Sequence, residues 1–230
     1  MTPQSHSSQH VVRPPNSGRT VAPPVGGTRV AWGLTGFFAL LSAVTFFARD
    51  DLYASLAAAA SGSVFESVVG MVAEVGVLAL VGSAALLAAW SWLRDRRAFL
   101  TLTSAGIGVV GAYATSEFVK LLVEEQRPCR ALDVQTVLAC PGMGDWSWPS
   151  NHATIAAAFA AACIFTLPGS AWFVAPVAAL IAASRVAAGV HYVHDVLAGL
   201  ALGLLGVAIA VAIMRPVCDR LVHRAPFRQL

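Results

Sequence analysis

Charged residues are scarce in this chain. They make up 12% of its 230 residues, while hydrophobic residues make up 57%. Soluble domains contain about 25% charged and about 45–50% apolar residues, so this composition argues against a water-soluble protein and favours a polytopic membrane protein. The formal net charge is only +3 and no dense basic tract occurs, so we expect no binding to nucleic acid.

Cysteines are also few, and no two of the four are separated by just two residues. Structural zinc sites commonly use Cys-x-x-Cys pairs, so no zinc site is expected. We predict neither a metal ion nor another cofactor. Cys129 and Cys140 lie in one polar loop. A disulfide between them and two free thiols are both compatible with this spacing.

Long apolar runs dominate the chain after a polar N-terminal stretch. Residues 1–28 are rich in Ser, Pro, Gly, Gln and Thr, which predicts a disordered tail rather than a signal peptide. A membrane helix needs roughly 17–25 residues. On that basis we predict six membrane helices, at about 30–48, 71–93, 98–119, 153–168, 171–189 and 196–214.

These helices predict an all-α fold, a six-helix membrane bundle over residues 29–214. Residues 51–69 contain several polar side chains, so we expect an interfacial or re-entrant helix there rather than a seventh span. Residues 215–230 are expected to form a basic tail.

The basic residues predict which side of the membrane each loop faces. The two terminal segments and the loop with Arg94, Arg96 and Arg97 together hold ten of the 15 Lys and Arg residues. Cytoplasmic loops carry an excess of these residues, so we expect both termini in the cytoplasm of a multi-pass plasma-membrane protein. The loop with both cysteines then lies outside the cytoplasm, where disulfides persist.

Three polar clusters interrupt the apolar sequence, and this topology brings all three to the extracytoplasmic face. Charged side chains are costly inside a membrane and usually have a function there. The clusters are Lys120 with Arg127-Pro128; Pro149-Ser150-Asn151-His152; and Ser184-Arg185 with His191 and Asp195.

The cations of these clusters indicate an anion site. Lys120, Arg127 and Arg185 would converge on one point, and guanidinium groups match the oxygens of phosphate. Ser150 and Asn151 precede an apolar run and are expected at a helix N-terminus. Free N–H groups and the helix dipole there also favour phosphate.

The histidines indicate covalent phosphoryl transfer. His191 and Asp195 are four residues apart and would share one face of a helix. Asp195 would then hold one ring nitrogen and leave the other free to attack phosphorus. His152 is suited to act as general acid on the leaving oxygen. The cations would neutralise the phosphoryl charge, so the reaction needs no metal.

The stretches KLLVEEQRP, PSNH and SRVAAGVHYVHD resemble the three-part signature of the type 2 phosphatidic acid phosphatase superfamily. Asn151 stands where that signature has Gly. The resemblance implies an all-helical core with its site at the membrane–water boundary. It also implies a lipid-phosphate phosphatase that acts on a polyprenyl diphosphate or a phosphatidate-type lipid.

Carried over by motif, the resemblance makes His191 the nucleophile, Asp195 its partner and His152 the acid. The phosphate would be held by Lys120, Arg127, Ser150, Asn151 and Arg185. Two other functions use the same residues: a non-catalytic partner that binds or transports lipid phosphates, and a phosphotransferase with an acceptor other than water. No motif selects the lipid or sets an oligomeric state.

Several nearby residues have simpler interpretations. His194 lies on a different face from His191 and is not expected to act directly. Trp146 and Trp148 could line a lipid entrance, but an aromatic belt at the interface explains them better. Glu124 and Glu125 are expected to be solvated loop charges.

Overall fold

The computed structural model describes residues 25–224, and the residues in this range form helices and loops without any strand. The predicted all-α class is therefore confirmed. The expected N-terminal tail lies outside the described residues up to position 24. Its last four positions, 25–28, belong instead to the first helix. Positions 225–230 of the expected basic tail also lie outside the described residues.

Nine α-helices form the described part of the chain, and a 3₁₀ turn at Pro168–Ser170 precedes the eighth. Their bounds are α1 Val25–Phe46, α2 Arg49–Ala60, α3 Glu66–Val75, α4 Val77–Arg94, α5 Arg96–Val123, α6 Pro128–Ala131, α7 Asn151–Thr166, α8 Ala171–Ala187 and α9 Val193–Arg224.

Five of the described helices, α1, α4, α5, α8 and α9, are long and apolar enough to cross a membrane. The fourth predicted span, at about 153–168, corresponds to α7, which is apolar but has only 16 residues. Alanines dominate its buried positions, and small residues let neighbouring helices approach closely. This alanine-rich composition explains how α7 can be a short helix that is enclosed by longer ones.

Three predictions about where helices begin, break and end are wrong. Residues 51–69 do not form one helix, because the chain turns between α2 and α3. The predicted second span is broken at Gly76, where an added Cβ would lie 2.9 Å from Cγ1 of Ile181. The last span does not end near residue 214, since α9 continues through Pro216 to Arg224. Hydropathy registers the apolar character of a run but not such breaks and extensions.

Close packing of α9 against α7 brings the polar clusters together. In the described residues α9 packs on α1, α5 and α7, and α7 packs on α5 and α8. A Cβ added at Gly203 would lie 2.9 Å from Cβ of Ala157, and one added at Gly199 would lie 3.0 Å from Cβ of Ala153. The two backbones therefore approach to a distance that only glycine permits. As a result, the start of α7 meets the start of α9.

Candidate active site

The three polar clusters meet at one end of the bundle. The backbone N–H of Ser150 donates to the carbonyl oxygen of Asp195 at 3.0 Å. Nη1 of Arg127 donates to the carbonyl oxygen of Val190 at 2.8 Å and lies 3.0 Å from Nε2 of His191. Segments that are far apart in sequence thus contribute to a single buried site.

His191 has a defined tautomer in this arrangement. Its Nδ1 lies 3.2 Å from Oδ2 of Asp195, and its Nε2 faces the guanidinium of Arg127. A guanidinium can only donate, so Nε2 must accept and Nδ1 must carry the proton. Burial, followed by the charge of Arg127, holds the pKa of His191 well below its usual 6.5. The ring is therefore neutral, with the lone pair of Nε2 directed toward the cations.

Asp195 contacts His191 through a helix cap rather than through a shared helical face. His191 lies in the loop before α9, and Asp195 lies in the first turn of that helix. Oδ2 of Asp195 accepts from the backbone N–H of Tyr192 at 2.8 Å, as in a capping box. The two residues do not share one helical face, although their separation of four residues correctly placed the two side chains together.

Ser147 is a site residue that the sequence analysis missed. It is fully buried, its hydroxyl donates to Oδ2 of Asp195, and its Oγ lies 3.4 Å from Nδ1 of His191. It belongs to an irregular loop and has no fixed spacing from the motifs. Its position between two tryptophans gave no signal of its role.

The three predicted cations are buried close to His191. Lys120, Arg127 and Arg185 are each 4–6% exposed. Nη1 of Arg185 donates to the carbonyl oxygen of Ala73 at 2.9 Å, while its Nε has no protein partner among the described residues. Buried donors rarely lack an acceptor, so this one identifies a place where an anion oxygen would fit.

Asp145 was also missed by the sequence analysis. Its Oδ1 accepts from Nη2 of Arg127 at 2.8 Å and lies 3.3 Å from Nζ of Lys120. Burial would raise the pKa of Asp145, but the hydrogen bond and charge of Arg127, with the charge of Lys120, lower it overall. The carboxylate is therefore ionised at neutral pH.

The Pro-Ser-Asn-His cluster forms the start of α7, as expected. Oγ of Ser150 is buried and has no hydrogen-bond partner among the described residues. The side chain of Asn151 points instead to α5, where its Oδ1 accepts from Ser116 at 2.7 Å and its amide donates to Glu117. Asn151 thus fixes α7 to α5, and only its backbone N–H remains for an anion.

His152 follows as the second residue of α7 and is half-buried. It interacts electrostatically with Arg185, Arg127 and Lys120 and with His191. No hydrogen bond fixes its ring in the described structure, which leaves it free to meet a leaving group.

The expectation that Glu125 is solvated is wrong. Its Oε1 accepts from Nη1 of Arg49 at 2.9 Å, and its Oε2 lies 3.1 Å from Nε2 of His194. Glu124 is exposed. His194 is fully buried beside Asp195, with its Nε2 3.2 Å from Oδ1. Two adjacent glutamates in a polar loop look alike in sequence, and only the fold separates them.

A cavity of about 400 Å³ adjoins this cluster. His194 and Glu125 form its polar part, while Phe46, Val123 and Trp148 supply apolar wall. Trp146 does not line this cavity and is half-buried. The position of Trp148 fits the lipid-entrance alternative for that residue.

A disulfide joins Cys129 to Cys140, with their Cα atoms 5.8 Å apart. It links the residues after Arg127 to the loop that carries Asp145 and Ser147. Arg130 also donates to the carbonyl oxygen of Pro141 across this loop. The connection between the first two clusters is therefore cross-linked.

The fold and site together define a multi-pass membrane protein with an imidazole beside a buried cluster of cations. Residues 101–217 match the PAP2 superfamily. The chain belongs to this superfamily.

Two proteins with sequences similar to this chain are named as phosphatases. The chain is 35% identical over 111 residues to an undecaprenyl-diphosphatase of Sulfolobus acidocaldarius, covering 48% of this chain and 52% of that protein. It is 38% identical over 132 residues to a decaprenylphosphoryl-5-phosphoribose phosphatase of Mycobacterium tuberculosis, covering 55% and 64%. The chain thus spans about half to two thirds of the length of these relatives.

A solved structure shares the fold. It is a transmembrane PAP2-type phosphatidylglycerolphosphate phosphatase from Bacillus subtilis, with a TM-score of 0.56 and 22% sequence identity. The match covers 86% of this chain and 98% of that chain. It confirms the membrane-helical fold class inferred from the sequence.

Proposed function

We propose that this protein is a lipid-phosphate phosphatase that works through a phosphohistidine intermediate on the extracytoplasmic face of the plasma membrane. The observation that carries this function is the arrangement of His191. One ring nitrogen is held by Asp195 at 3.2 Å, and the other faces Arg127 at 3.0 Å. A neutral, oriented imidazole beside buried cations is the arrangement that attack on phosphorus requires.

The phosphate would be bound by cations and donors that are buried in the candidate site. Lys120, Arg127 and Arg185 supply positive charge, and Oγ of Ser150 and Nε of Arg185 are buried donors without protein partners in the described structure. The first N–H groups of α7 have no helical acceptor and add further donors.

The reaction would proceed in two steps. In the first, Nε2 of His191 forms a bond to phosphorus while the bond to the lipid oxygen breaks, and His152 gives that oxygen a proton. In the second, water forms a bond to phosphorus, the N–P bond breaks, and His152 takes the proton from water. The products are the dephosphorylated lipid and inorganic phosphate.

A polyprenyl lipid is the substrate class that we favour. The named relatives act on undecaprenyl diphosphate and on decaprenylphosphoryl-5-phosphoribose, both of which combine a polyprenyl chain with phosphate. The cavity beside Trp148 has apolar walls and adjoins the site through His194, which suits a hydrocarbon chain. Phosphatidate-type lipids are the alternative class.

The activity is tested with the purified full-length chain in detergent and EDTA. We expect phosphate release from a polyprenyl diphosphate or monophosphate, compared with phosphatidate and phosphatidylglycerol phosphate. Glu125, His194 and Asp195 could offer a metal three ligands within 4.8 Å of one another. A requirement for a divalent cation would therefore overturn the metal-free mechanism. Tight lipid binding without any turnover would favour the binding-partner alternative.

The sidedness is tested by labelling in intact cells, in a Cys218→Ser background. Met143 is 90% exposed in the loop beside the site, and Arg94 is exposed at the opposite end of the neighbouring span. We expect a membrane-impermeant maleimide to label Met143→Cys and not Arg94→Cys. The reverse pattern would place the site on the cytoplasmic face.

A further inference from the structure

The phosphate-binding cations already hold a carboxylate. Oδ1 of Asp145 lies 2.8 Å from Nη2 of Arg127 and 3.3 Å from Nζ of Lys120. The two cationic side chains are 4% and 6% exposed, whereas the side chain of Asp145 is 49% exposed. Asp145 thus covers the cations from the solvent side.

Asp145 occupies two N–H groups of Arg127 that could otherwise bind a phosphate, one through its backbone oxygen and one through its carboxylate. Nε of Arg127 donates to the backbone oxygen of Asp145, and Nη2 donates to its side chain, both at 2.8 Å. The remaining group, Nη1, is shared between Val190 and His191. Nε and Nη2 form one edge of the guanidinium, so a phosphate that binds along this edge of Arg127 must displace the Asp145 side chain from Nη2.

The backbone around Asp145 combines an exposed turn with a fixed end. Residues 142–144 are exposed, and Gly144 has a φ of 85°, in the left-handed region that favours glycine. Two residues after Asp145, the chain is fixed where the N–H of Ser147 donates to the carbonyl oxygen of Glu125 at 2.8 Å. Displacement of the Asp145 side chain therefore requires no change at Ser147.

We propose that Asp145 is a specificity-determining residue, an internal competitor that holds Lys120 and Arg127 until a lipid phosphate displaces it. The inference rests on the proposed function, because it takes the lipid phosphate as the displacing anion. A lipid gains additional binding energy from its hydrocarbon chain, whereas inorganic phosphate does not. Asp145 would thus disfavour free phosphate and assist release of the product.

The opposite role for Asp145 makes the opposite prediction. If its carboxylate only orients Arg127, then its removal should weaken the binding of anions. If it competes, removal should strengthen binding, because a negative charge leaves a partly buried anion site. The two roles are therefore separated by the direction of one measured change.

The experiment measures the affinity of the full-length protein in detergent for inorganic phosphate, by calorimetry. We expect Asp145→Asn to bind phosphate at least about tenfold more tightly than wild type, and Asp145→Glu to remain close to wild type. Asp133→Asn is the matched control, since Asp133 is exposed in the same segment between Cys129 and Ser150 and the charge change is identical. Equal or weaker binding by Asp145→Asn overturns the proposal.

A second variant and a parallel hydrolysis assay separate failure of the Asp145 proposal from failure of the proposed function. Asp145→Ser replaces Asp145→Asn if the latter does not fold, judged by its thermal unfolding. Hydrolysis of the polyprenyl substrate is measured in parallel. If wild type hydrolyses the lipid but neither variant tightens phosphate binding, only the role of Asp145 fails. If wild type hydrolyses no lipid phosphate while the variants still bind phosphate more tightly, the proposed function fails instead.

Discussion

Nε2 of His194 lies 3.1 Å from Oε2 of Glu125, and the same nitrogen is 3.2 Å from Oδ1 of Asp195. Arg49 holds the other oxygen of Glu125 at 2.9 Å. Asp195, the proposed partner of the nucleophile, therefore adjoins a network of polar side chains formed by His194, Glu125 and Arg49. This network comes from α2, the loop after α5 and the start of α9.

Glu125→Gln should lower kcat about tenfold with a smaller effect on KM. The carboxylate accepts from both His194 and Arg49, and the loss of one such charged hydrogen bond costs roughly 1.5 kcal/mol. His194 would then shift its N–H toward Asp195 and weaken the acceptor that orients His191.

The adjacent residue supplies the control for this variant. Glu124 is exposed, and Glu124→Gln removes the same charge one position away. Steady-state kinetics should separate the two variants. Equal kinetics for both would show that the chain from Arg49 to Asp195 does not support the reaction.

His191→Ala should reduce turnover by at least about 1000-fold while the protein remains folded, because covalent transfer has no other nucleophile in the proposed mechanism. Rapid quenching of wild type with a radiolabelled substrate should trap label in an acid-labile, base-stable bond, as expected for phosphohistidine. Met143→Ala, a change at an exposed loop residue, is the control. Substantial turnover by His191→Ala would exclude the mechanism as written.

The motifs identified candidate residues that have a fixed spacing, but they did not identify residues of the same cluster that lie in irregular loops. His191 and Asp195 were placed together by their separation of four residues, although a helix cap creates the contact. Asp145 and Ser147 have roles that depend on how a disulfide-closed loop folds back over Arg127. No periodicity or propensity encodes that path.

For the fold as well, some features could be predicted from local sequence and others could not. Apolar runs located the five described helices that are long enough to cross a membrane and the shorter α7, because burial in lipid requires such a composition. The break at Gly76 depends on contact with Ile181, and the extension of α9 past Pro216 was likewise not visible in local hydropathy. Tertiary packing decides such details, so local sequence could not predict them.

Gly203→Ala should destabilise the protein by about 1–3 kcal/mol, the usual cost of overpacking a close contact. A Cβ at this position would lie against the carbonyl oxygen of Thr154 and 2.9 Å from Cβ of Ala157, forcing α9 away from α7. Gly106→Ala is the control, because an added Cβ there meets nothing within 4 Å. Thermal unfolding in detergent should show a lower midpoint for Gly203→Ala alone, and an unchanged midpoint would contradict the tight α7–α9 contact.

The buried neutral His191 should make stability fall in mild acid. Burial and the charge of Arg127 hold its pKa well below the ordinary 6.5, so the unfolded chain binds a proton in a pH range where the folded protein does not. The contribution to stability is therefore fully present above about pH 6.5 and is lost as the pH falls from there toward the lowered pKa of the folded state.

His191→Gln removes this titrating group and is the comparison for the acid loss of stability. Unfolding midpoints of wild type and His191→Gln should run in parallel above about pH 7 and converge or cross between about pH 6.5 and 5, because only wild type loses the His191 contribution. Histidines that do not interact with His191 are common to both proteins and cancel in the difference. A constant difference across this range would mean that His191 takes up its proton at the same pH in the folded and unfolded states, and the neutral nucleophile would then lose its support.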